Sequence, residues 1–232
     1  MEIRVGTSGF SYAPWKGRFY PRDLPAARML SYYSGIFSTV EINNTFYRMP
    51  TPALLTGWLG QVPQTFRFSL KAPQRLTHTR AIAQSSERIP GFLEVAATLG
   101  EKLGPILFQF PPFLKKDLEQ LKEFLSRVPE GTLAALEFRH ESWFDEELYQ
   151  LLSDRGVALC LAETDKTSPP EIGIGPFGYF RLRKTEYDDA ALRGWQGFLD
   201  KQNWGQAYVF FKHEDEARGP EFASKLVALL AE

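Results

Sequence analysis

Two stretches of the sequence place charged side chains where an apolar strand is predicted to end. In the first, the run Leu133–Leu136 leads directly into Glu137 and, two residues later, Arg139. Residues two apart on a strand project from the same face, so this carboxylate and this guanidinium are predicted to lie side by side. Glu41 and Asn43 show the same spacing in the second stretch. Burying such charges is costly unless they are paired or used in chemistry, which makes both stretches candidates for a functional site.

The residue types at these strand ends suit acid–base catalysis and the binding of an anion. Glu41 and Glu137 form a candidate pair for general acid–base catalysis, because unlike environments can separate the pKa values of two carboxyl groups. The guanidinium of Arg139 offers a bidentate contact to a carboxylate or phosphate. The predicted catalytic residues are Glu41, Lys71 and Glu137, and the predicted substrate-binding residues are Ser8, Tyr12, Asn43, His78, Gln109, Arg139, Trp143, Asp165, Arg181 and Lys212.

The same residues indicate which cofactors the protein could bind. A divalent ion such as Mg²⁺ or Mn²⁺ is an open alternative, with Glu41, Glu137, Glu163 and Asp165 as its ligands. The chain has three histidines, too few for a cluster of zinc ions, and it lacks the glycine fingerprint of nucleotide cofactor binding. Cys160 lies in mid-strand and is predicted to be a buried structural thiol.

The charged strand ends belong to a pattern of short apolar strands that alternate with helices. About eight strands are predicted, most of them followed by a helix, which is the arrangement of a TIM-like parallel (β/α) barrel. The carboxyl ends of all strands in such a barrel open on one mouth, so the polar strand ends are expected to converge there. A doubly wound open sheet is the alternative, which the strand count and the missing fingerprint disfavour. The predicted strands are Ile3–Val5, Thr39–Asn44, Phe66–Leu70, Ile106–Phe110, Leu133–Phe138, Val157–Ala162, Tyr179–Leu182 and Ala207–Phe211.

One crossover of the predicted barrel is irregular. The segment Lys166–Gly175 after the sixth strand is rich in proline and glycine, which predicts that this crossover lacks a full helix. No linker or shift in composition divides the chain, so a single barrel domain over residues 1–232 is expected.

The amino-acid composition disfavours several classes of function. The 232 residues carry a formal net charge of -1, so the chain lacks the overall positive charge typical of nucleic-acid-binding proteins. A local basic patch is compatible with this sum. The N-terminal residues lack the pattern of a signal peptide, and no apolar run is long enough to span a membrane. With one cysteine and therefore no intrachain disulfide, the protein is expected to be cytoplasmic and without membrane contact.

Five stretches in order along the chain resemble the motifs of a known family. They read GTSGFSYAPWKGRFYP, VEINNTFYRMP, FRFSLKAPQRLTH, LGPILFQFPPF and LEFRHESW. The chain resembles the YecE-like family, also described as domain of unknown function 72. The resemblance implies a parallel barrel in one domain and supplies no established activity. It also implies that five residues occupy motif positions of the family: Glu41, Lys71, Gln109, Glu137 and Arg139.

The last third of the chain departs from the family pattern. Arg183 and Lys184 stand where the family usually has a His-Gly pair after the seventh strand. Lys212 and His213 stand where the family usually has two asparagines after the eighth. These differences make one side of the predicted mouth more basic.

Four functions fit these observations. The first is an enzyme, of hydrolase-like but unresolved class, that acts on a small anionic substrate with Glu41, Glu137 and an Arg/Lys clamp. The second is nucleic-acid binding or endonuclease-like chemistry, with Tyr12, Trp15 and Trp143 as stacking residues. The third is a glycoside-processing enzyme that uses the two glutamates. The fourth is a non-catalytic scaffold whose polar ring closes the barrel.

Overall fold

The chain folds into a closed barrel of parallel strands. The computed structural model describes residues 1–213 and 215–232. Within them, eight strands pair in chain order and the last pairs with the first, which confirms the predicted TIM-like barrel. The strands are β1 (Glu2–Ser8), β2 (Thr39–Ile42), β3 (Arg67–Lys71), β4 (Leu103–Gln109), β5 (Ala134–Glu137), β6 (Ala158–Thr164), β7 (Gly178–Arg183) and β8 (Gln206–Phe211).

Helices surround the barrel on most sides. In the part of the chain that the structure describes, the crossover from β6 to β7 contains no helix, as its Pro/Gly content predicted. None of the described helices is long and apolar enough to cross a membrane. The α-helices are α1 (Met29–Ser34), α2 (Asn44–Tyr47), α3 (Pro52–Leu59), α4 (Gln74–Thr77), α5 (Ile82–Ser85), α6 (Ile89–Ala96), α7 (Leu118–Ser126), α8 (Glu146–Asp154), α9 (Asp189–Asp200) and α10 (Arg218–Leu229).

Short polar residues begin the longer helices. The side chain of Asp145 accepts a hydrogen bond from the backbone N–H of Leu148 at the start of α8, and Asp188 does the same for Ala191 at the start of α9. Each bond satisfies an N–H group that has no partner within the helix. These caps fix where the chain leaves each mouth loop and turns back along the barrel.

The loops at the carboxyl ends of the strands contain more structure than the sequence pattern indicated. The predicted strand Thr39–Asn44 ends at Ile42, because Asn43 already has helical backbone angles and leads into α2. The loop after β3 contains two single-turn helices, α4 and α5. Such turns are too short to show a hydrophobic period, so the sequence alone gives no signal for them.

The inside of the barrel is filled unevenly. β7 and β8 contribute the large rings of Tyr179, Tyr208 and Phe210, whereas β5 and β6 contribute the small side chains of Ala135 and Ala158. The centroids of the Tyr179 and Phe210 rings lie 5.3 Å apart. Large side chains on one side and small ones on the other leave more room near β5 and β6, and this asymmetry recurs at the mouth.

A tyrosine hydroxyl from α1 is inserted between β1 and β2. Tyr33 OH accepts a hydrogen bond from the Thr7 N–H at 2.8 Å and donates one to the Thr39 carbonyl at 3.0 Å. Gly6 pairs with Thr39 at this point. A Cβ at Gly6 would lie 2.1 Å from the Thr39 carbonyl oxygen and 2.9 Å from the Tyr33 hydroxyl. The absence of a side chain at Gly6 therefore permits the close approach of the two strands.

Substitution Gly6→Ala is expected to destabilise the protein by at least about 3 kcal/mol, because a backbone oxygen cannot give way as a flexible side chain would. The free energy of unfolding in urea measures the effect. Gly194→Ala in α9 is the matched control, since an added Cβ there meets nothing within 4 Å. That control should be neutral or stabilise by up to about 1 kcal/mol; equal behaviour of the two variants would contradict the prediction.

Candidate functional site

One buried guanidinium joins three strands at the mouth of the barrel. Arg181 projects from β7 and is 2% exposed. Its Nη2 donates to Glu41 Oε1 on β2 at 2.9 Å, and its Nη1 donates to Glu137 Oε2 on β5 at 2.6 Å. The two glutamates predicted to share a site therefore do so, with Arg181 between them.

The carboxylate of Glu41 is surrounded by further donors. Ser8 Oγ donates to Oε1 and Tyr179 OH donates to Oε2, each at 2.7 Å. Asn43 Nδ2 donates to Oε1 at 3.2 Å. Because Tyr179 gives its proton to Glu41, the hydroxyl of Ser69, 2.7 Å from the Tyr179 oxygen, is the donor in that contact. Glu41 is thus fixed in place and inaccessible to solvent.

Glu137 is surrounded by arginines. Besides Arg181, Arg139 Nε and Arg183 Nη2 each donate to Glu137 Oε1 at 3.1 Å. Gln109 lies beside the carboxylate, although its buried amide nitrogen has no hydrogen-bond partner in the described structure. The three guanidiniums outnumber the carboxylates around them, so this part of the mouth has excess positive charge.

These contacts keep both glutamates ionised. Burial alone would raise the pKa of Glu41, but Arg181 and the donors Ser8 and Tyr179 hold it below its ordinary value. Burial likewise opposes the charge on Glu137, and the arginines beside it lower its pKa well below the usual range. A general acid must carry a proton at neutral pH, and a general base needs a lone pair that is not already engaged. The arrangement suits the positioning of arginines better than the predicted acid–base pair.

The amine of Lys71 is in the opposite electrostatic situation. Lys71 ends β3, is 8% exposed, and has its Nζ 3.8 Å from the centroid of the Phe46 ring. No hydrogen bond or ion pair joins this Nζ to a described residue. Burial, with Arg181 nearby, lowers the pKa of Lys71 to about 7, and Glu41 and Glu137 offset this only in part. A substantial fraction of this amine is therefore neutral at physiological pH.

His78 shares this environment. Its Nδ1 lies 2.9 Å from Thr77 Oγ1, and its ring meets that of Phe46 edge to face. Burial, then Lys71 and Arg139, lowers the pKa of His78. The imidazole is accordingly neutral at pH 7, which suits proton exchange with a neighbouring group.

A cavity of about 670 Å³ opens beside the arginines, on the side of the small residues of β5 and β6. Arg139, Arg183 and Glu137 form its charged wall, and Phe138, Phe144 and prolines form an apolar one. The helix-free crossover after β6 supplies Lys166, Thr167 and Ser168. The cavity combines cationic and hydroxyl groups with apolar surface, which suits a small organic anion.

Several predicted substrate-binding residues lie elsewhere. The structure corrects the assignment of Trp143: its ring is fully buried, stacks on Phe138 with centroids 4.5 Å apart, and donates its Nε1–H to the Leu114 carbonyl. Asp165 is on the exposed rim and accepts two hydrogen bonds from Thr185.

Two other predicted residues, Tyr12 and Lys212, lie near the mouth. Tyr12 donates its hydroxyl proton to the Ser8 carbonyl and lines a separate hollow of about 90 Å³ beside Asn43. Lys212 follows β8, where its backbone N–H donates to the Leu182 carbonyl at 3.0 Å.

The four carboxylates proposed as metal ligands do not come together. Glu163 faces outward from β6, where it pairs with Lys184 at 2.6 Å and accepts a bond from Trp195. Within residues 1–213 and 215–232, no three His, Cys, Asp or Glu side chains are grouped so as to hold a metal ion. The donor set for Mg²⁺ or Mn²⁺ expected from the sequence is therefore not assembled.

Three contributors were not among the predicted catalytic and substrate-binding residues, although Arg183 was predicted to make the mouth more basic. Tyr179 and Arg183 have the same parity as Arg181 on β7, and this alternation was the available signal. Phe46 is buried and supplies the ring beneath Lys71. No local pattern signals a contact between residues so far apart in sequence.

Replacing Arg181 with Met should cost about 3–5 kcal/mol of stability, because it leaves Glu41 buried without a cation. The dependence of the unfolding free energy on pH should also reverse. In the wild type the lowered pKa of Glu41 gives stability that is present above its unfolded value and lost as pH falls. In Arg181→Met, burial would raise that pKa, so stability should fall as pH rises from about 4 to 8.

Urea unfolding at several pH values measures both effects. Arg193→Met, which removes an exposed pair with Glu232, is the control and should change stability by less than about 1 kcal/mol. An Arg181→Met protein with the stability and pH profile of that control would refute the prediction.

Lys71→Met should stabilise the protein more at low pH than at high pH. A lysine whose folded pKa is about 7 binds fewer protons in the native than in the unfolded state between that value and its ordinary one. The resulting loss of stability is complete below pH 7 and disappears as the pH rises to the ordinary pKa of lysine. It amounts to about 1.4 kcal/mol for each unit by which folding lowers the pKa. Unfolding free energies from about pH 6 to pH 9 should converge for the two proteins; parallel curves would show that Lys71 has an unshifted pKa.

Comparison with known proteins places the chain within a family. The family model described as "Protein of unknown function DUF72" matches residues 4–232. UPF0759 protein YunF of Bacillus subtilis is 28% identical over 219 residues, which are 85% of this chain and 74% of YunF. UPF0759 protein YecE of Escherichia coli K12 is 30% identical over 134 residues, covering 55% of this chain and about half (49%) of YecE.

Solved structures agree with this assignment. The crystal structure of a DUF72 family protein from Thermotoga maritima has a TM-score of 0.86 and 26% identity, with both chains fully covered. A DUF72 family protein from Enterococcus faecalis, at 19% identity and a TM-score of 0.81, has the same fold over 100% of this chain and 98% of its own. By the match of the family model over nearly its whole length, the chain belongs to the DUF72 family of proteins of unknown function.

Proposed function

We propose that this protein is an enzyme that acts on a small organic anion at the carboxyl-end mouth of the barrel. The observation that carries the proposal is a buried lysine amine without a hydrogen-bond partner in the described structure, at the mouth where Arg139 and Arg183 line a cavity. Structural lysines are normally paired, whereas an amine with a pKa near neutrality is suited to accept a proton or to react.

Each charged residue has a distinct part in this proposal. Arg139 and Arg183 bind the carboxylate or phosphate of the substrate, and Lys71 carries out the chemistry. Glu137 orients the two arginines, since both donate to its Oε1, and Arg181 with Glu41 holds Glu137 in position. The lining of Phe138, Phe144 and prolines receives the apolar part of the substrate.

This division of roles changes the expected reaction class. Hydrolysis by two glutamates requires one of them to carry a proton, and the arginines disfavour that state. The glycoside alternative is weakened for the same reason. The nucleic-acid alternative loses two of its stacking residues, because Trp15 and Trp143 are buried. Proton transfer or carbonyl chemistry at Lys71 is the reaction type that the charge states favour.

Anion binding is the first test of the proposal. Arg139 makes one hydrogen bond to Glu137 in the described structure and has its side chain 36% exposed, so Arg139→Met should fold. Loss of its charge-assisted hydrogen bonds should weaken the binding of phosphoglycolate or inorganic phosphate by about 10- to 100-fold. Binding should also tighten below pH 7, where Lys71 gains a proton.

Isothermal titration calorimetry of the wild type, Arg139→Met and the surface control Arg193→Met measures this. The control should bind as the wild type does, because Arg193 lies in α9 with its side chain paired to Glu232. Absence of binding by the wild type, or equal affinities for wild type and Arg139→Met, would remove the proposed clamp and favour the non-catalytic scaffold.

A further inference from the structure

We propose that Lys71 is a nucleophile that forms an imine with the carbonyl carbon of a small aldehyde or ketone that also carries a carboxylate or phosphate. This inference rests on the proposed function, since it takes the anion site as given and names the reactive group of the substrate. It assigns a covalent step to one atom, Lys71 Nζ.

The surroundings of Lys71 differ from those of a structural lysine in the same protein. Lys102 is buried to a similar extent, and its Nζ donates to the carbonyls of Leu59 and Val62, each at 2.9 Å. These bonds hold the ammonium in place at the amino end of the barrel. Lys71 Nζ has no such acceptor among the described residues and rests against the Phe46 ring.

The carboxylates that might have paired with Lys71 are already occupied. Glu41 accepts bonds from Arg181, Ser8, Tyr179 and Asn43. Glu137 accepts bonds from three arginines. Burial, together with repulsion by the guanidiniums, disfavours an ammonium at Lys71, and the two carboxylates offset this only in part. The neutral amine keeps its lone pair, which is the form that attacks a carbonyl.

The same mouth provides a place for the rest of the substrate. Lys71 ends β3 and Arg139 follows β5 at the same carboxyl end of the barrel, so the amine and the anion clamp share one mouth. Arg139 and Glu137 line the cavity, and Lys71 lies outside its lining. A substrate with its anionic group at Arg139 brings its carbonyl into this shared mouth. In the proposed reaction His78 exchanges protons with the substrate; its ring meets the Phe46 ring, against which Lys71 Nζ rests, with centroids 4.8 Å apart.

The proposed step is balanced in atoms and electrons. The lone pair of the Lys71 amine forms a bond to the carbonyl carbon, and the electron pair of the C=O double bond moves to oxygen. The nitrogen loses a proton and the oxygen gains one, which gives a carbinolamine. The hydroxyl then takes the remaining proton of the nitrogen and leaves as water, while the nitrogen lone pair forms the C=N bond. No oxidant or reductant is consumed.

Reductive trapping of the full chain tests this step. The protein is incubated with glyoxylate, pyruvate or glycolaldehyde phosphate and sodium cyanoborohydride, which converts an imine to a stable secondary amine. Intact mass and peptide mapping should show one predominant adduct, on Lys71, and none on the hydrogen-bonded Lys102. The trapping rate should rise as pH increases through about 7 and then level off, following the neutral amine.

Variants distinguish the contribution of the Lys71 amine to trapping from that of the residues around it. Lys71→Arg and, as a second variant, Lys71→Met should lose the predominant adduct, with unfolding midpoints recorded to confirm that they fold. Lys115→Met is the matched control, because Lys115 is exposed in the mouth loop after β4. Arg139→Met should slow trapping of glyoxylate at least about tenfold more than it slows trapping of neutral acetone, which makes no use of the anion clamp.

The outcomes distinguish the two proposals. Adducts spread over exposed lysines at equal rates in the wild type and Lys71→Arg would overturn the imine inference. If phosphoglycolate binding in that case still depended on Arg139, the proposed anion-binding enzyme would stand with Lys71 as a proton acceptor. Loss of both trapping at Lys71 and Arg139-dependent binding would overturn both.

Discussion

The pairing of Arg181 with Glu41 and Glu137 is the interaction on which the mouth of the barrel depends. It joins β7 to β2 and β5, strands that are far apart in the chain and separated around the barrel. Removing three charges from water costs several kcal/mol per ion, and only close geometry with additional hydrogen bonds offsets that cost. Ser8, Tyr179 and Asn43 on one glutamate and two further arginines on the other provide those bonds.

The charge state of Lys71 follows from this network. The arginines occupy both carboxylates, and burial acts on an amine that has no hydrogen-bond partner in the described structure and whose loss of charge the two glutamates offset only in part. The ion pairs between the arginines and the glutamates thus favour a neutral, reactive amine at Lys71. Arg139 and Arg183 lie at the border, because each donates to Glu137 and also lines the cavity.

Much of the fold and part of the site were predictable from the sequence. Eight apolar segments with polar ends predict a parallel barrel, and alternation correctly puts Glu41, Glu137 and Arg181 at one centre. Strand alternation does not place residues that lie beyond the end of a strand, and it does not identify residues on the outward face. Trp143 lies beyond the end of β5 and packs against Phe138, and Glu163 has the outward parity of β6, toward Trp195. Alternation indicates which residues share a face, but it does not say which face points inward.

The position of the cavity could not be predicted from any single motif in the sequence. It depends on side-chain size in separate strands: Ala135, Ala158 and Ala162 on β5 and β6 against Tyr179 and Phe210 on β7 and β8. It depends also on the helix-free crossover, whose residues 166–170 form part of the wall. A full helix after β6 would have carried the chain directly away from the mouth, whereas the Pro-rich segment remains beside it. The irregular crossover and the small residues act together, since both widen the side of the barrel on which Arg139 and Arg183 face the cavity. Arg183, at the end of β7, therefore lies on the side of the mouth that has room for a ligand.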